Sequence, residues 1–545
     1  YVGGATTPYV GGATTFYVGG ATKLYVGCVD FAGILLGKNK ETTIFAKTID
    51  SLLIIYIYVM DTILQLAPQN VWKHFYALTR IPRPSGHCEQ VTEYLVDFGR
   101  KLGLESRVDE AGNVIIRKPA TPGMENRKGV ILQAHMDMVP QKNNDTVHDF
   151  TKDPIETWVD GEWLKAKGTT LGADNGLGVA AIMAVLEATD LKHGPLEALI
   201  TKDEETGMYG AFGLKPGELD GQILLNLDSE EEGELYIGCA GGVDITATLE
   251  YKEEETPADP AVARKITLKG LRGGHSGLEI NEGRANANKL LARVTHDLLM
   301  EFDCRLSSFE GGNMRNAIPR EAHAVLLFDA TDVADLEDYI REYQDTLSAE
   351  FDPIESGIRL YLEEVPMPAT VVPVEIQDNV IDALMACQNG VMRMIPTVPD
   401  TVETSSNLAI VSVGGGKVDI RILARSSSDS MKDFLADSLE ACFSMAGMKV
   451  ELSGAYSGWQ PDVHSPILHA MTTSYRQQFG NEPAVKVIHA GLECGIIGAT
   501  YPGLDMVSFG PTLRSPHSPD ERAYIPSVAK FYAFLVATLE QTPLK

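Results

Sequence analysis

Five stretches of this 545-residue chain end or turn on side chains that favour hard or borderline cations. They are His135 and Asp137 in VILQAHMDMV, Asp174 in TLGADNG, Glu204 and Glu205 in ALITKDEETG, Asp228 in ILLNLDSEE, and His517 in LRSPHSPDE. Imidazole nitrogen and carboxylate oxygen are usual zinc ligands, and a carboxylate with two oxygens can bridge two ions. One histidine and two carboxylates per ion, with one carboxylate shared, fits this inventory. His135, Asp174 and Asp228 are assigned to one divalent cation, and Asp174, Glu205 and His517 to the other. Asp174 is the shared ligand because it lies in Gly-Ala-Asp-Asn-Gly, where small neighbours let the backbone come close to both ions. Water held by two such cations has its pKa lowered toward neutrality, which makes hydroxide available for attack on a carbonyl. Zn2+ suits the donors best, although Mn2+ or Co2+ could use the same set. The glycine-rich stretch is no phosphate loop, since it lacks both the G-x-G-x-x-G spacing and a Walker lysine.

The elements that position these groups follow from the runs before them. Each apolar run reads as a short buried parallel strand, and in open α/β sheets ligands collect outside the carboxyl ends of such strands. Apolar spacing near 3.6 predicts helices from Asn70 to Phe75 and onward, Gln90 to Leu102, Leu177 to Ala188, and Ser527 to Leu539, the last with Pro526 in its first turn. His464 repeats the His-Ser-Pro of His517 but heads a helix and has no strand before it, so the ligand role falls to His517.

Residues 243–456 contribute no candidate ligand. They mix strand-like runs (VDITATLEY, HAVLLFDA, GIRLYLEEV) with helical ones (RANANKLLARVTHDLL, MKDFLADSLEACFSMAG), the pattern of an α/β sandwich inserted as a lid. The expected fold class is therefore α/β: a mixed, mostly parallel sheet flanked by helices, with an inserted α+β lid domain. Residues 60–242 and 457–545 form the two parts of the catalytic domain. Hinge motion is expected at Gly241–Gly242 and Gly454–Gly458, where glycine permits large dihedral changes.

Composition narrows the partners. A formal charge of −29 argues against nucleic acid or an anionic membrane. Seven cysteines without a C-x-x-C pair suggest reduced thiols in a cytoplasm, with Cys239 and Cys494 read as buried small hydrophobes. Residues 1–59 stand apart. YVGGATT recurs at Tyr1, Tyr9 and Tyr17 and decays at Tyr25, a polar, glycine-rich repeat expected to be disordered. The apolar run Leu52–Met60 is shorter than the roughly 20 residues of a spanning helix, and no basic region precedes a small-residue cleavage site. Met60 is the first methionine, so residues 1–59 are expected to be translated upstream sequence and a non-native extension.

Taken together and in order, HMD, GADNG, DEETG, NLDSEEEGE and SPHSPDE resemble the dinuclear zinc exopeptidases. More narrowly, with VWKHFYALTRIPRPSGH, RGGHSG, GGNMRNAIPRE, RSSSDS and HAGLECG, they resemble the aminoacyl-histidine (Xaa-His) dipeptidases, the cytosolic non-specific dipeptidases of bacteria. The resemblance runs from about Met60 to the end. It implies that Glu204 is the general base and Glu205 a ligand, and Asp137, two residues after His135, is read as the carboxylate orienting that imidazole. It further implies that His275 stabilises the oxyanion and places Asn316 and Glu493 in the site, while Arg425 could clamp the substrate carboxylate. The activity implied is metal-dependent hydrolysis of unblocked dipeptides, in the cytoplasm, with the lid taking part in a homodimer. The other readings are an amidohydrolase that removes acyl groups from N-acyl amino acids, and a catalytically inactive binding protein on the same scaffold.

Overall fold

The computed structural model describes residues 63–257 and 261–545. The YVGGATT repeats and the apolar run before Met60 lie outside the described residues. Leu66–Lys545 forms one compact unit.

Its principal sheet is built from β1 (Glu105–Val108), β2 (Val114–Lys118), β3 (Val130–His135), β4 (Leu196–Thr201), β5 (Ile223–Asn226), β6 (Glu234–Cys239), β7 (Ala484–Ile488) and β8 (Asp505–Ser508). The strand order is β1-β2-β4-β3-β5-β8-β6-β7. Pairings β4–β3, β3–β5, β5–β8 and β6–β7 are parallel, whereas β1–β2, β2–β4 and β8–β6 are antiparallel. Every residue of β3, β4 and β5 is buried, which is why these strands read as unbroken apolar runs instead of alternating ones.

Helices α1 (Gln69–Thr79), α2 (Glu89–Lys101), α3 (Ala173–Glu187), α4 (Pro466–Phe479), α5 (Glu493–Thr500) and α6 (Ile525–Glu540) flank the sheet. Helix α3 packs on β3 and α1 and is apolar around almost its whole circumference, as a helix enclosed on all sides must be. It begins at Ala173, four residues earlier than its apolar spacing suggests, and Asp174 (φ −79°, ψ 113°) and Asn175 (φ −103°, ψ 32°) depart from helical geometry inside it. The side chain of Asn175 donates to Leu227 O (2.8 Å), fastening this irregular turn to the end of β5.

A second sheet takes its strands from Gly241 to Tyr456. In order these are Arg359–Glu364, Ala261–Lys269, Ala322–Asp329, Arg305–Gly311, Val402–Gly414, Lys417–Ser426, Gly241–Glu250 and Lys449–Tyr456, with Gly390–Met394 paired to Val402–Gly414 as well. All these pairings are antiparallel. Helices Ala287–Glu301, Val333–Phe351, Val374–Ala386 and Asp429–Met445 share its apolar core through Leu291, Leu336, Leu384 and Phe443, packed with strand residues such as Ile245, Phe309 and Ile420.

The two chain crossings between the sheets run side by side, with Gly242 paired to Tyr456. A Cβ on Gly241 would sit 2.5 Å from Gly458 N and Tyr456 O, and one on Gly458 would sit 2.6 Å from Ser426 O. Glycine at 241 and 458 thus serves close backbone approach, while Gly454, at φ +60°, is the position that needs glycine's conformational freedom. Cys239 and Cys494 are fully buried, and no helix among the described residues is long and apolar enough to cross a membrane.

Candidate metal centre

The sheet order β4-β3-β5 sets three parallel carboxyl ends next to one another. His135 is the last residue of β3, Glu204 and Glu205 follow β4, and Asp228 lies two residues beyond β5. Asp174 comes from the irregular first turn of α3. The loop between short strands Leu513–Arg514 and Arg522–Tyr524 delivers His517 from above, with Ser515 (φ 54°) and His517 (φ 58°) both in the left-handed region.

Asp174 stands between the two histidines. Its Oδ1 lies 3.0 Å from His135 Nε2 and its Oδ2 3.1 Å from His517 Nε2. Asp228 Oδ1 is 3.3 Å from His135 Nε2, and Glu205 Oε2 is 3.0 Å from His517 Nε2. Three sets of potential ligand atoms each fall within 4.8 Å of one another: His135, Asp174 and Asp228; Asp174, Glu205 and His517; and His135, Glu204 and Glu205. The structure therefore brings together Glu204 and all five residues assigned as ligands.

Asp137 is fully buried below His135, with Oδ1 3.5 Å from His135 Nδ1. Its carboxylate accepts hydrogen bonds from Ser85 Oγ (2.7 Å) and from the amides of Glu204 (3.1 Å) and Glu205 (3.3 Å). One side chain thus ties the end of β3 to the Glu204–Glu205 turn. Burial works against its charge, but the contacts with His135 and these donors outweigh burial and hold it down at about 2.

The rest of the cluster is short of positive charge. Burial first, then the nearby Asp228, Glu493 and Glu205, pushes Glu204 well above the usual carboxylate range. Burial likewise lifts Asp228 to about 6. Hydrogen bonding to Asp174 and Glu205 raises His517 to about 11. Glu205 Oε1 is buried without a hydrogen-bond partner. Two buried carboxyls raised by their surroundings, an orphaned carboxylate oxygen, and imidazole nitrogens facing Asp174 from either side form a donor set that divalent cations would suit.

Residues 131–541 match the peptidase family M20/M25/M40. The chain belongs to this family. It is 49% identical over 486 residues to the cytosol non-specific dipeptidase of Escherichia coli K12, covering 89% of this chain and 100% of that protein. The crystal structure of aminoacylhistidine dipeptidase from Vibrio alginolyticus matches with a TM-score of 0.85 and 49% identity, over 89% of this chain and 98% of that one. Aminopeptidase PepT from Bacillus cereus, at 16% identity and a TM-score of 0.52 over 88% of this chain and 99% of that one, shares the fold.

In this M20/M25/M40 peptidase the acidic cluster opens into a cleft of about 1090 Å³, lined by Asp174, Glu204, Glu205, Asp228 and His517 and, from the second sheet's segment, by Gly277, Leu278 and residues 398–402. His275 Nδ1 accepts the amides of Gly277 (3.1 Å) and Leu278 (3.0 Å), which puts the ring hydrogen of the neutral form on Nε2. Burial and the neighbouring Arg425 lower its pKa. Arg425 is buried, donates from Nη1 to Tyr456 Oη (3.2 Å), and leaves Nε without a partner. Asn316 is exposed, and its carbonyl accepts the Ser276 amide (2.9 Å). Glu493 has no exposed surface; Gln133 Nε2 and Thr201 Oγ1 both donate to its Oε2 at 2.6 Å, beneath the cluster.

Several residues that shape the centre were not singled out from sequence. Ser85 braces Asp137. Buried Arg83 donates to the carbonyls of Met136 (3.1 Å), Asp137 (2.9 Å) and Gly172. His489 lines the cleft and is hydrogen-bonded to Ser405 Oγ (2.7 Å). Glu521 is buried against the Asp174 turn. All four lie inside the stretches IPRPSGH, HAGLECG and SPHSPDE, but their partners are remote in sequence. The glycines around Asp174 also have a different reason from the expected one. A Cβ on Gly172 or Gly176 would meet Arg83 Nη2 at 2.6 or 2.5 Å, so they make room for that guanidinium.

Proposed function

We propose that this M20/M25/M40 peptidase is a cytoplasmic dipeptidase that uses two divalent cations, Zn2+ by preference, to hydrolyse unblocked dipeptides including Xaa-His. The observation that carries the reading is the pair of ligand triads sharing Asp174, with Glu204 alongside them in the lining of the cleft. The two relatives at 49% identity are both named as dipeptidases, which supports the same substrate class. His135, Asp174 and Asp228 would hold one cation, and Asp174, Glu205 and His517 the other. When bound, such a pair supplies a water of lowered pKa and a Lewis acid for the scissile carbonyl.

The chain's own residues do the rest. Glu204, which lines the cleft beside both triads, takes the proton of the attacking water and passes it to the departing amine. Asp137 keeps His135 in the orientation that turns Nε2 toward Asp174 and Asp228. His275, with its ring hydrogen on Nε2, is the donor for the developing oxyanion, a role worth about 2.7–4 kcal/mol where one such donor has been removed. Arg425 offers its guanidinium to the substrate's free carboxylate. Asn316 and Glu493 would support the substrate pocket, and the second sheet's segment would carry a homodimer contact.

The test compares Xaa-His and other unblocked dipeptides with N-acetyl amino acids, before and after chelation and metal return. Chelator-reversible hydrolysis of dipeptides is expected. Preference for N-acyl amino acids would move the assignment to the amidohydrolases, and no turnover with metal fully loaded would leave an inactive binding protein.

A further inference from the structure

Glu521 follows the His517 loop and has no exposed path to substrate, being 2% exposed. Its two oxygens accept four consecutive backbone amides: Leu171 N (2.7 Å) and Gly172 N (2.9 Å) on Oε2, Ala173 N (2.7 Å) and Asp174 N (3.3 Å) on Oε1. These are the orphan donors of the turn that opens α3, and a side-chain carboxylate fills the place that an N-cap or a bound anion would take. The turn is gripped from its other side by Arg83, which donates to Gly172 O and to the carbonyls of Met136 and Asp137, and Arg83 and Glu521 attract one another across it.

We infer that Glu521 is a positioning residue that locks the Asp174 turn to the His517 loop, so that both cation sites depend on it although it would contact neither ion. The inference rests on the reading of Asp174 as the shared ligand. Its physical basis is that, beside Arg83 on Gly172 O and Asn175 on Leu227 O, the Glu521 carboxylate is the group that takes up the amides of this turn, that of Asp174 included. The irregular φ and ψ at Asp174 and Asn175 take this turn out of the helical ladder, and the amides that would otherwise face the protein interior unpaired converge on one carboxylate. The hairpin loop that carries His517 is likewise held at its far end by this contact, because Glu521 is the residue just before strand Arg522–Tyr524. A shift of the turn would therefore move a ligand of each triad together.

The experiment compares wild type, Glu521→Gln and Glu521→Asp in metal-free and metal-loaded protein. In Glu521→Gln one oxygen is replaced by an NH2 that points donors at donors, and in Glu521→Asp the carboxylate is drawn back from the turn. Stepwise zinc titration should show both binding steps of Glu521→Gln weakened together by about 10–100-fold, the range for groups that orient metal ligands. At saturating zinc its kcat should remain below wild type with KM for dipeptide within about twofold, since the substrate contacts are untouched. Glu521→Asp should fall between the two. A second readout needs no variant to fold: in metal-free wild type, amides 171–174 should be protected from hydrogen exchange, because their acceptor belongs to the protein. Rapid exchange there, or wild-type zinc affinity in Glu521→Gln, would overturn the inference. Wild-type protein that binds no zinc would instead remove the shared-ligand reading beneath it.

Discussion

The two triads that meet at Asp174 are built differently. His135 sits at the end of a strand buried on both faces, its side chain 1% exposed, with Asp137 behind it and Ser85 behind that. His517 rides a short hairpin loop, its side chain 52% exposed, in a left-handed backbone that an ordinary residue seldom adopts. The inner triad is fixed by the sheet, and the outer one by a loop whose shape depends on side-chain contacts. Rigid strands position ligands more exactly than loops do. The inner site should therefore hold its cation more tightly and release it more slowly than the outer site.

The largest effect separates the triads outright. His135→Ala should empty both positions and abolish hydrolysis, whereas His517→Ala should leave the inner cation in place with hydrolysis lost. Metal analysis after gel filtration reads the difference, and equal losses in the two variants would erase the distinction drawn between them. Glu204→Ala sharpens the same comparison by leaving both triads intact: kcat should fall by about 10²–10⁴-fold, the range for a general base, with metal content unchanged. Asp137→Asn acts on the inner side. It should weaken the first zinc bound by about 10–100-fold in a competition titration while the second is affected less.

The smallest effect is in the pH dependence of the metal-free protein. Glu493 and Glu521, both raised to about 7 by burial, and Asp228, raised to about 6, bind more protons folded than unfolded. Stability from such groups is present at low pH and is lost as pH rises through their folded values. His517, raised to about 11, adds a loss in the same direction above its ordinary value, whereas Asp137 at about 2 acts only in stronger acid. Buried histidines with lowered values, His489 at about 3 foremost, oppose this below about pH 6.5, so metal-free protein should unfold at progressively lower temperature above that pH, and zinc should restore the most at the upper end, where it displaces the fewest protons. A flat profile would mean the cluster is relaxed and solvated when empty.

The ligands and the buried groups that brace them also differ in how much of them could be read from sequence. His135, Asp228 and the Glu204–Glu205 pair stand at or just beyond the ends of apolar runs, so strand ends in one sheet place them together without further information. The helices were legible from spacing, and α3 was misplaced at its start because Asp174 and Asn175 interrupt the helical pattern. What could not be read is the buried polar layer. Glu521 meets amides that lie 347–350 residues away, and Arg83 meets carbonyls up to 89 residues away. Backbone groups carry no residue signature, so a carboxylate that satisfies them looks in sequence like any other acidic residue in an acidic chain. The antiparallel pairings β1–β2 and β2–β4, which extend the sheet beyond the site, were hidden for a related reason: β1 is short and has no fully buried residue, and it lacks the apolar run that marks the inner strands.

The most direct test of the central claim is a crystal structure of the zinc-loaded protein with anomalous data at the zinc edge. Two peaks are expected, about 3.5–4 Å apart as in two-metal hydrolytic sites, with one Asp174 oxygen on each, His135 on the inner ion and His517 on the outer. A single peak, or two peaks with Asp174 bound to neither, would contradict the shared-ligand centre on which the proposed activity depends.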